Sequence, residues 1–308
     1  MGGPQRELTQ WIEDNAGSGK VTSFSGGGGS GWASSSIVDT ESGNRFFVKT
    51  SKRPSEAMFT GEAEGLRAMH ATDTVTVPNV YHYGDLQEGD GSFIIMEHLE
   101  MRGSYSQAEL GKQLAMMHLA EPLAEEAKAG KFGFPVKNTI GGTPQPNEWS
   151  GNYVQFFREK RLGHQLRLAR DGTLSSLGKQ LMDNLDSYFE GIEVKPCILH
   201  GDLWSGNIGG TSGGKPAIFD PACYYGHNEA EFGMSWCAGF GRDFYDAYFS
   251  VIPKEKGFEE RKQIYLLYHY LNHYNLFGGG YYNSCLSILQ DLTGQAYGGS
   301  SGGKFFDF

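Results

Sequence analysis

The chain has 308 residues, 39% of them hydrophobic and 20% charged, and its formal net charge is −10. That length suits one large or two smaller domains with a sizeable core, in an ordinary soluble globular protein. No stretch is densely basic and no apolar run reaches the roughly 18 residues that span a bilayer, which excludes nucleic acid and membrane as main partners.

The N-terminus, Met1-Gly2-Gly3-Pro4-Gln5-Arg6, has no secretory apolar region and no long Arg/Ser-rich run. Arg6 stands where a myristoylation signal has Ser or Thr, so the expected address is cytoplasmic. Cys197, Cys223, Cys237 and Cys285 form no C-x-x-C and no zinc spacing, and read as reduced, mostly buried thiols.

Residues from Glu7 to Asp14 predict a short helix with Leu8, Trp11 and Ile12 on one face. A glycine run follows from Ser25 to Trp32, in which Gly26, Gly28 and Gly31 fit G-x-G-x-x-G. A dinucleotide-binding turn requires a helix next. Here Ser36–Asp39 reads as a strand, Glu41–Asn44 as a turn and Arg45–Lys49 as a returning strand. Glycines in a hairpin turn, before a strand ending in Lys, resemble the glycine-rich loop of kinases, whose backbone amides approach phosphate oxygens closely. A ligand-free flexible linker is the plainer alternative. Lys49 is expected to pair with Glu62 on the helix that runs from Ser55 to about His70 and so to orient ATP phosphates. Glu64, two positions on, points elsewhere on a helix. Strands at Tyr81–Tyr83 and Phe93–Met96 flank a turn at Glu88–Gly91, and Glu97, His98 and Leu99 occupy the place of an adenine-binding hinge.

Ser106-Gln107-Ala108-Glu109 is a capping box that opens a helix to about Leu119, with Leu110, Leu114 and Met117 inward and His118 packed or capping. The Gly/Pro/Asn-rich stretch from Phe132 to Trp149 either lines an acceptor site or covers the larger lobe. Helices near Tyr153–Arg170 and Leu174–Phe189 follow, and Arg158, Lys160, Arg161, Arg167 and Arg170 read as a solvated basic face. Phe258–Phe277 reads as a buried aromatic helix or helix pair, Ser284–Leu292 as another helix, and residues 293–308 as a flexible tail.

The chemistry concentrates in Leu199-His200-Gly201-Asp202-Leu203-Trp204-Ser205-Gly206-Asn207 and in Asp220-Pro221-Ala222. An Asp, an Asn five residues later and a second Asp closing a short apolar run resemble the catalytic loop and metal-binding Asp of the protein kinase-like superfamily. That resemblance implies an α+β, bilobal protein kinase-like fold, with a small β-rich N-lobe (1–97) and a larger, mainly helical C-lobe (98–292). It also implies ATP and Mg2+ as cofactors. Asp202 is the expected base, Asn207 and Asp220 the expected magnesium ligands, and His200 a brace. Gly201 replaces the Arg of H-R-D, Pro221-Ala222 replaces the end of D-F-G, and no A-P-E occurs. The acceptor is therefore expected to be a small molecule or small appended group, without a regulated activation loop.

The runs His200–Asn207, Asp220–Glu231, Trp236–Phe240 and Tyr268–Gly278, with Phe46–Lys49, Gly61–Ala63, Ile95–Glu97 and Gly133-Phe134 upstream, resemble the fructosamine-3-kinase (ketosamine-3-kinase) family from about residue 8 to residue 292. The resemblance implies phosphorylation of the 3-hydroxyl of a ketosamine, fructosamine or ribulosamine, on glycated proteins or amines, leading to deglycation. It places Trp204 beside the acceptor sugar and makes His227, Glu229, His273 and Asn275 further acceptor candidates. Family members often carry a redox-switching Cys in the glycine-rich loop. Here Ser30 follows the glycines and no Cys precedes Cys197, so that control loses its residue. A monomer or homodimer is compatible with these features. The alternatives are another small-molecule kinase of the aminoglycoside or choline type, or a nucleotide-binding pseudokinase.

Overall fold

The structure, a computed structural model, describes residues 3–29, 31–87 and 89–294. Gly2, Ser30, Glu88 and the tail from residue 295 lie outside the described residues.

Five strands form the smaller lobe: β1 (Val21–Gly29), β2 (Ser34–Thr40), β3 (Arg45–Ser51), β4 (Val80–Asp85) and β5 (Ser92–Glu97). They make one antiparallel sheet in the order β1-β2-β3-β5-β4. Alternation along the strands decides which face each side chain enters. Val38, Phe46, Val48, Phe93 and Ile95 pack with Leu8 and Ile12 of α1 (Gly3–Asn15) on one face. Ile94 and Met96 turn the other way, into the main core with Phe59, Ala63, Leu66 and Met69 of α2 (Phe59–His70). The glycine run departs from the expected turn: Gly26 lies within β1, paired with Ser36, and a bulge follows before Gly29 pairs with Ser34. Glycine is tolerated there because β2 supplies the ladder, and the missing side chains leave the bulge free to form.

Gly61 and Gly65 set how close α2 sits to the larger lobe. A Cβ on Gly61 would stand 2.3 Å from Asn138 Cβ, and one on Gly65 2.9 Å from Cys223 Sγ. The helix therefore lies directly on the segments that carry the chemistry.

The larger lobe begins with α3 (Gln107–Leu119), where Ser106 Oγ accepts the Glu109 amide at 3.2 Å. A short α4 (Glu125–Lys128) leads to the hairpin β6 (Asn138–Ile140) and β7 (Thr143–Gln145). Next come α5 (Tyr153–Phe157), a π-helical turn at Arg158–Leu162, α6 (Gly163–Ala169) and α7 (Gly172–Asp183). Strands β8 (Cys197–Leu199), β9 (Ile208–Gly210), β10 (Pro216–Ile218) and β11 (Tyr224–Gly226) pair as β9–β10 and β8–β11. Helices α8 (Ser235–Ala238), α9 (Arg242–Val251), α10 (Phe258–Phe277) and α11 (Tyr282–Thr293) complete it. The aromatic stretch is thus one helix, and Thr293, expected in the tail, closes α11.

The basic face needs correction. Arg161 is fully buried, donating to the Pro146 carbonyl at 2.6 Å and to Asn147 Oδ1 at 3.0 Å, with its guanidinium 4.1 Å from the Tyr224 ring centre. The π turn places it inward, where carbonyl oxygens and ring faces replace water. The four cysteines are free, and Cys197, Cys223 and Cys285 are buried. Among the described residues no helix is long and apolar enough to cross a membrane.

Candidate active site

Strands β8 and β9 hold the two ends of the loop His200–Asn207, and β10 delivers Asp220 beside it. Backbone conformation explains the sequence here. Gly201 has φ +80°, and a Cβ on it would lie 2.3 Å from the Ala222 carbonyl oxygen. An Arg at that position is sterically impossible without moving the Pro221–Ala222 segment. Asp220 itself is left-handed, at φ +58°, a strained conformation that the surrounding contacts must hold.

The loop is braced from beneath. His200 is fully buried; its Nε2 donates to the Phe219 carbonyl at 2.8 Å and its Nδ1 accepts the Asp202 amide at 3.2 Å. Glu231, also buried, accepts the amides of His200 at 2.7 Å and Gly201 at 2.9 Å, and faces His118 Nε2 at 3.2 Å. Burial works against the Glu231 charge. The hydrogen bond and charge of His118, then His200 and the Gly201 amide, outweigh it and hold the carboxyl below its ordinary range. Asp202 moves the other way: burial first, then the charge of Glu231, pushes it up to about 7. A carboxylate poised near neutrality is suited to taking a proton.

Asn207 Nδ2 donates to the carbonyls of Asp202 at 2.8 Å and Asp220 at 3.3 Å. Both amide hydrogens are thereby used, so the side chain has an oxygen to offer. With the Asp220 carboxylate, that makes a two-oxygen donor set, which fits a magnesium ion that keeps waters and takes phosphate oxygens. Among the described residues no group of three His, Cys, Asp or Glu forms a protein-only metal cage. Lys49 Nζ reaches Glu62 Oε1 at 2.8 Å and also contacts Asp220 Oδ1. Glu64 turns away to Arg67 and Tyr83.

Two cavities meet at these groups. One, of about 450 Å³, is lined by Ile37, Phe47, Met96 and the segment Glu97–Arg102, which includes the expected hinge residues His98 and Leu99. The other, of about 260 Å³, is lined by Trp32, Asn138, Thr139, Asp202, Trp204 and Asn207, among others. Lys49, Glu62 and Asp220 border both. The Phe132–Trp149 stretch is divided between a cavity wall and the interior of the lobe. Its hairpin lines the second cavity, while Asn138, Gln145 and Asn147 are buried in the lobe. Gly26 and Gly28 line neither cavity; Gly31 borders a third hollow, with Trp32, Lys52 and Arg53.

Four acceptor candidates are placed elsewhere. His227 is buried with Nδ1 2.8 Å from the Tyr265 hydroxyl, and Glu229 is buried in a two-pronged pair with Arg261, both contacts 2.7 Å. His273 binds the His269 carbonyl at 2.7 Å and Asn275 binds Gln165 at 2.8 Å. Each has its partner outside the set, Tyr265, Arg261, His269 and Gln165 respectively, and none of the four lines either cavity. The sequence pointed to Asn138 and Thr139 only as part of a long loop, and gave no role to Trp32 or Glu231. Spacing carries no signal for them, since each meets the site through a fold contact remote in sequence.

Comparison with known proteins adds a second line. The family model described as fructosamine kinase matches residues 5–295. A protein-ribulosamine 3-kinase, chloroplastic, of Arabidopsis thaliana is 51% identical over 92% of this chain and 86% of its own. A ketosamine-3-kinase of Mus musculus is 41% identical over 89% of this chain and 95% of its own. A crystal structure from Haemophilus somnus that carries the name fructosamine-3-kinase superimposes with a TM-score of 0.81 at 25% identity, covering 94% of this chain and 98% of that one.

Proposed function

The chain belongs to the fructosamine kinase family, and from that premise we propose how its own residues carry the reaction. The protein is an ATP-dependent kinase that phosphorylates ketosamines, a phosphotransferase with an alcohol acceptor in a bilobal kinase-like fold. The observation that carries the residue assignment is the shared wall of Lys49, Glu62 and Asp220 between two cavities, with Asp202 on the smaller side.

In this reading ATP occupies the larger cavity, with its adenine at the Glu97–Leu99 segment where the lobes join. Gly26 and Gly28 line neither cavity and Gly31 borders a third hollow, so the phosphates fall to Lys49 and not to the glycine hairpin. Lys49, oriented by Glu62, holds the phosphates where the cavities meet. The ketosamine lies in the smaller cavity against the exposed Trp204 indole, whose flat apolar face suits sugar C–H groups. Its 3-hydroxyl oxygen attacks the γ-phosphorus and the bond from that phosphorus to the bridging oxygen breaks, releasing ADP. The hydroxyl proton passes to Asp202. Asp220 and Asn207 would hold magnesium, which, when bound, neutralises charge on the phosphates. Breakdown of the phosphorylated adduct then frees the amine, the deglycation step, on glycated proteins or small amines. A cytoplasmic address belongs to the same proposal, and the chloroplastic name of the Arabidopsis relative sets the alternative that a fluorescent fusion would decide.

The test is ADP release across a panel of fructosamine, ribulosamine, aminoglycoside and choline acceptors, with and without magnesium, and with Asp202→Asn as control. Turnover restricted to the ketosamines and abolished by Asp202→Asn is expected. ATP binding without turnover on any acceptor, or an Asp202→Asn protein as active as the parent, would sink the reading.

A further inference from the structure

Trp32 stands just beyond the glycine hairpin, between β1 and β2, yet it lines the smaller cavity rather than the nucleotide one. It is held from several sides. Ser51 Oγ donates to its carbonyl at 3.0 Å, and the Arg53 guanidinium lies 5.1 Å from the centre of its ring. The far edge of the indole meets Gly142, where a Cβ would stand only 2.6 Å from the ring. Gly142 belongs to the turn between β6 and β7, so an N-lobe side chain rests on a C-lobe hairpin.

That hairpin is a firm support. Asn138 Nδ2 donates to the Cys223 carbonyl at 2.6 Å, Gln145 Nε2 to Asn138 Oδ1 at 3.0 Å, and α2 lies on it through Gly61. The same hairpin contributes Asn138, Thr139 and Gly141 to the cavity wall. The cavity thus has an indole from each lobe, Trp32 and Trp204, both partly exposed at 37% and 40%. A ketosamine presents what such walls take: C–H faces along the sugar chain and a protonated secondary amine that aromatic faces attract.

We infer that Trp32 is a specificity-determining residue for the acceptor, the second aromatic wall of its cavity, seated on Gly142. This rests on the acceptor reading of that cavity. Because the wall comes from the lobe that carries the glycine hairpin, the cavity is complete only when Trp32 rests on the β6–β7 turn, and Gly142 is what lets the indole reach it.

Steady-state kinetics with a fructosamine acceptor tests it. Trp32→Ala raises acceptor KM about fivefold, the worth of one aromatic contact, while ATP KM changes by less than about twofold. Trp32→Phe restores most of the loss, and Gly142→Ala, which displaces the indole without touching its chemistry, moves acceptor KM in the same direction. A merely structural role would move both KM values together, and that result overturns the inference. So does an unchanged acceptor KM in Trp32→Ala when Trp204→Ala raises it. If neither tryptophan variant moves acceptor KM, the acceptor reading of the cavity falls as well.

Discussion

Replacing Glu231 by Gln removes a buried carboxylate from beneath the loop that carries Asp202, at almost unchanged volume. The carboxylate accepts two backbone amides, at 2.7 and 2.9 Å, and faces His118 Nε2 at 3.2 Å. Gln keeps one oxygen and turns an NH2 group toward the other donor. One buried donor then lacks an acceptor, at about 1–3 kcal/mol, and the surviving bonds lose their charge assistance. The expected loss of stability is about 2–4 kcal/mol, visible as a lower urea midpoint at constant slope. The effect on pH dependence has the opposite appearance. Burial and then the Glu231 charge raise Asp202 to about 7, because a neighbouring negative charge opposes ionisation. Without that charge Asp202 ionises at lower pH, so the acidic limb of kcat/KM for the acceptor moves toward acid even as its plateau falls. Stability and the limb are measured on the same variant. A limb that stays in place, or a urea midpoint equal to the parent, would refute the account of how this loop is held and tuned.

Other substitutions and conditions probe separate parts of the reasoning. Gly61→Ala puts a methyl 2.3 Å from Asn138 Cβ, so the hairpin must move. A cost of about 1–3 kcal/mol is expected in thermal unfolding, and a parent-like Tm would show that the close approach is not required. Lys49→Met removes the cation held 2.8 Å from Glu62. It should lower kcat/KM for ATP by about 10²-fold or more, and a loss under about tenfold would remove Lys49 from the phosphate site. His227 and His269 are pushed down to about 3, His227 by burial and the Arg261 charge, His269 by burial and the His273 charge. Both stay neutral in the fold while the unfolded chain takes up protons below about pH 6.5. Stability should therefore fall as pH drops from there toward 3, by about 1.4 kcal/mol per pH unit for each histidine. Urea midpoints that do not fall between about pH 6 and 4 would contradict their neutral burial.

Much of the architecture can be read from local pattern. The capping box at Ser106 and the apolar spacing of α3 depend on neighbours three and four residues apart, so they survive translation into three dimensions. The strands Arg45–Ser51 and Ser92–Glu97 are legible as short runs of aromatic and aliphatic residues, but a continuous run such as Phe93–Met96, buried on both faces, does not say which face each side chain enters. The strand β1 was not legible, because a glycine-rich segment has no side chains with which to announce a ladder that β2 provides. The fold class followed from the resemblance of the His200–Asn207 loop and Asp220 to the protein kinase-like superfamily, and the order of these elements agrees with it.

The site divides along the same line. The sequence alone determined which residue types stand at His200–Asn207, Asp220, Lys49 and Glu62. Each belongs to one loop or to consecutive elements, where chain geometry leaves few ways to meet. Tertiary structure alone decided which remaining polar residues face a cavity. Arg161, expected in solvent, went inside to Pro146 and Asn147, and Glu229, expected at the acceptor, went to Arg261. Trp32 reached the smaller cavity only because Gly142, far along the chain, leaves room for its ring. Composition cannot show this. A polar or aromatic side chain goes where its hydrogen bonds and packing are satisfied, and those partners become neighbours only when the chain has folded.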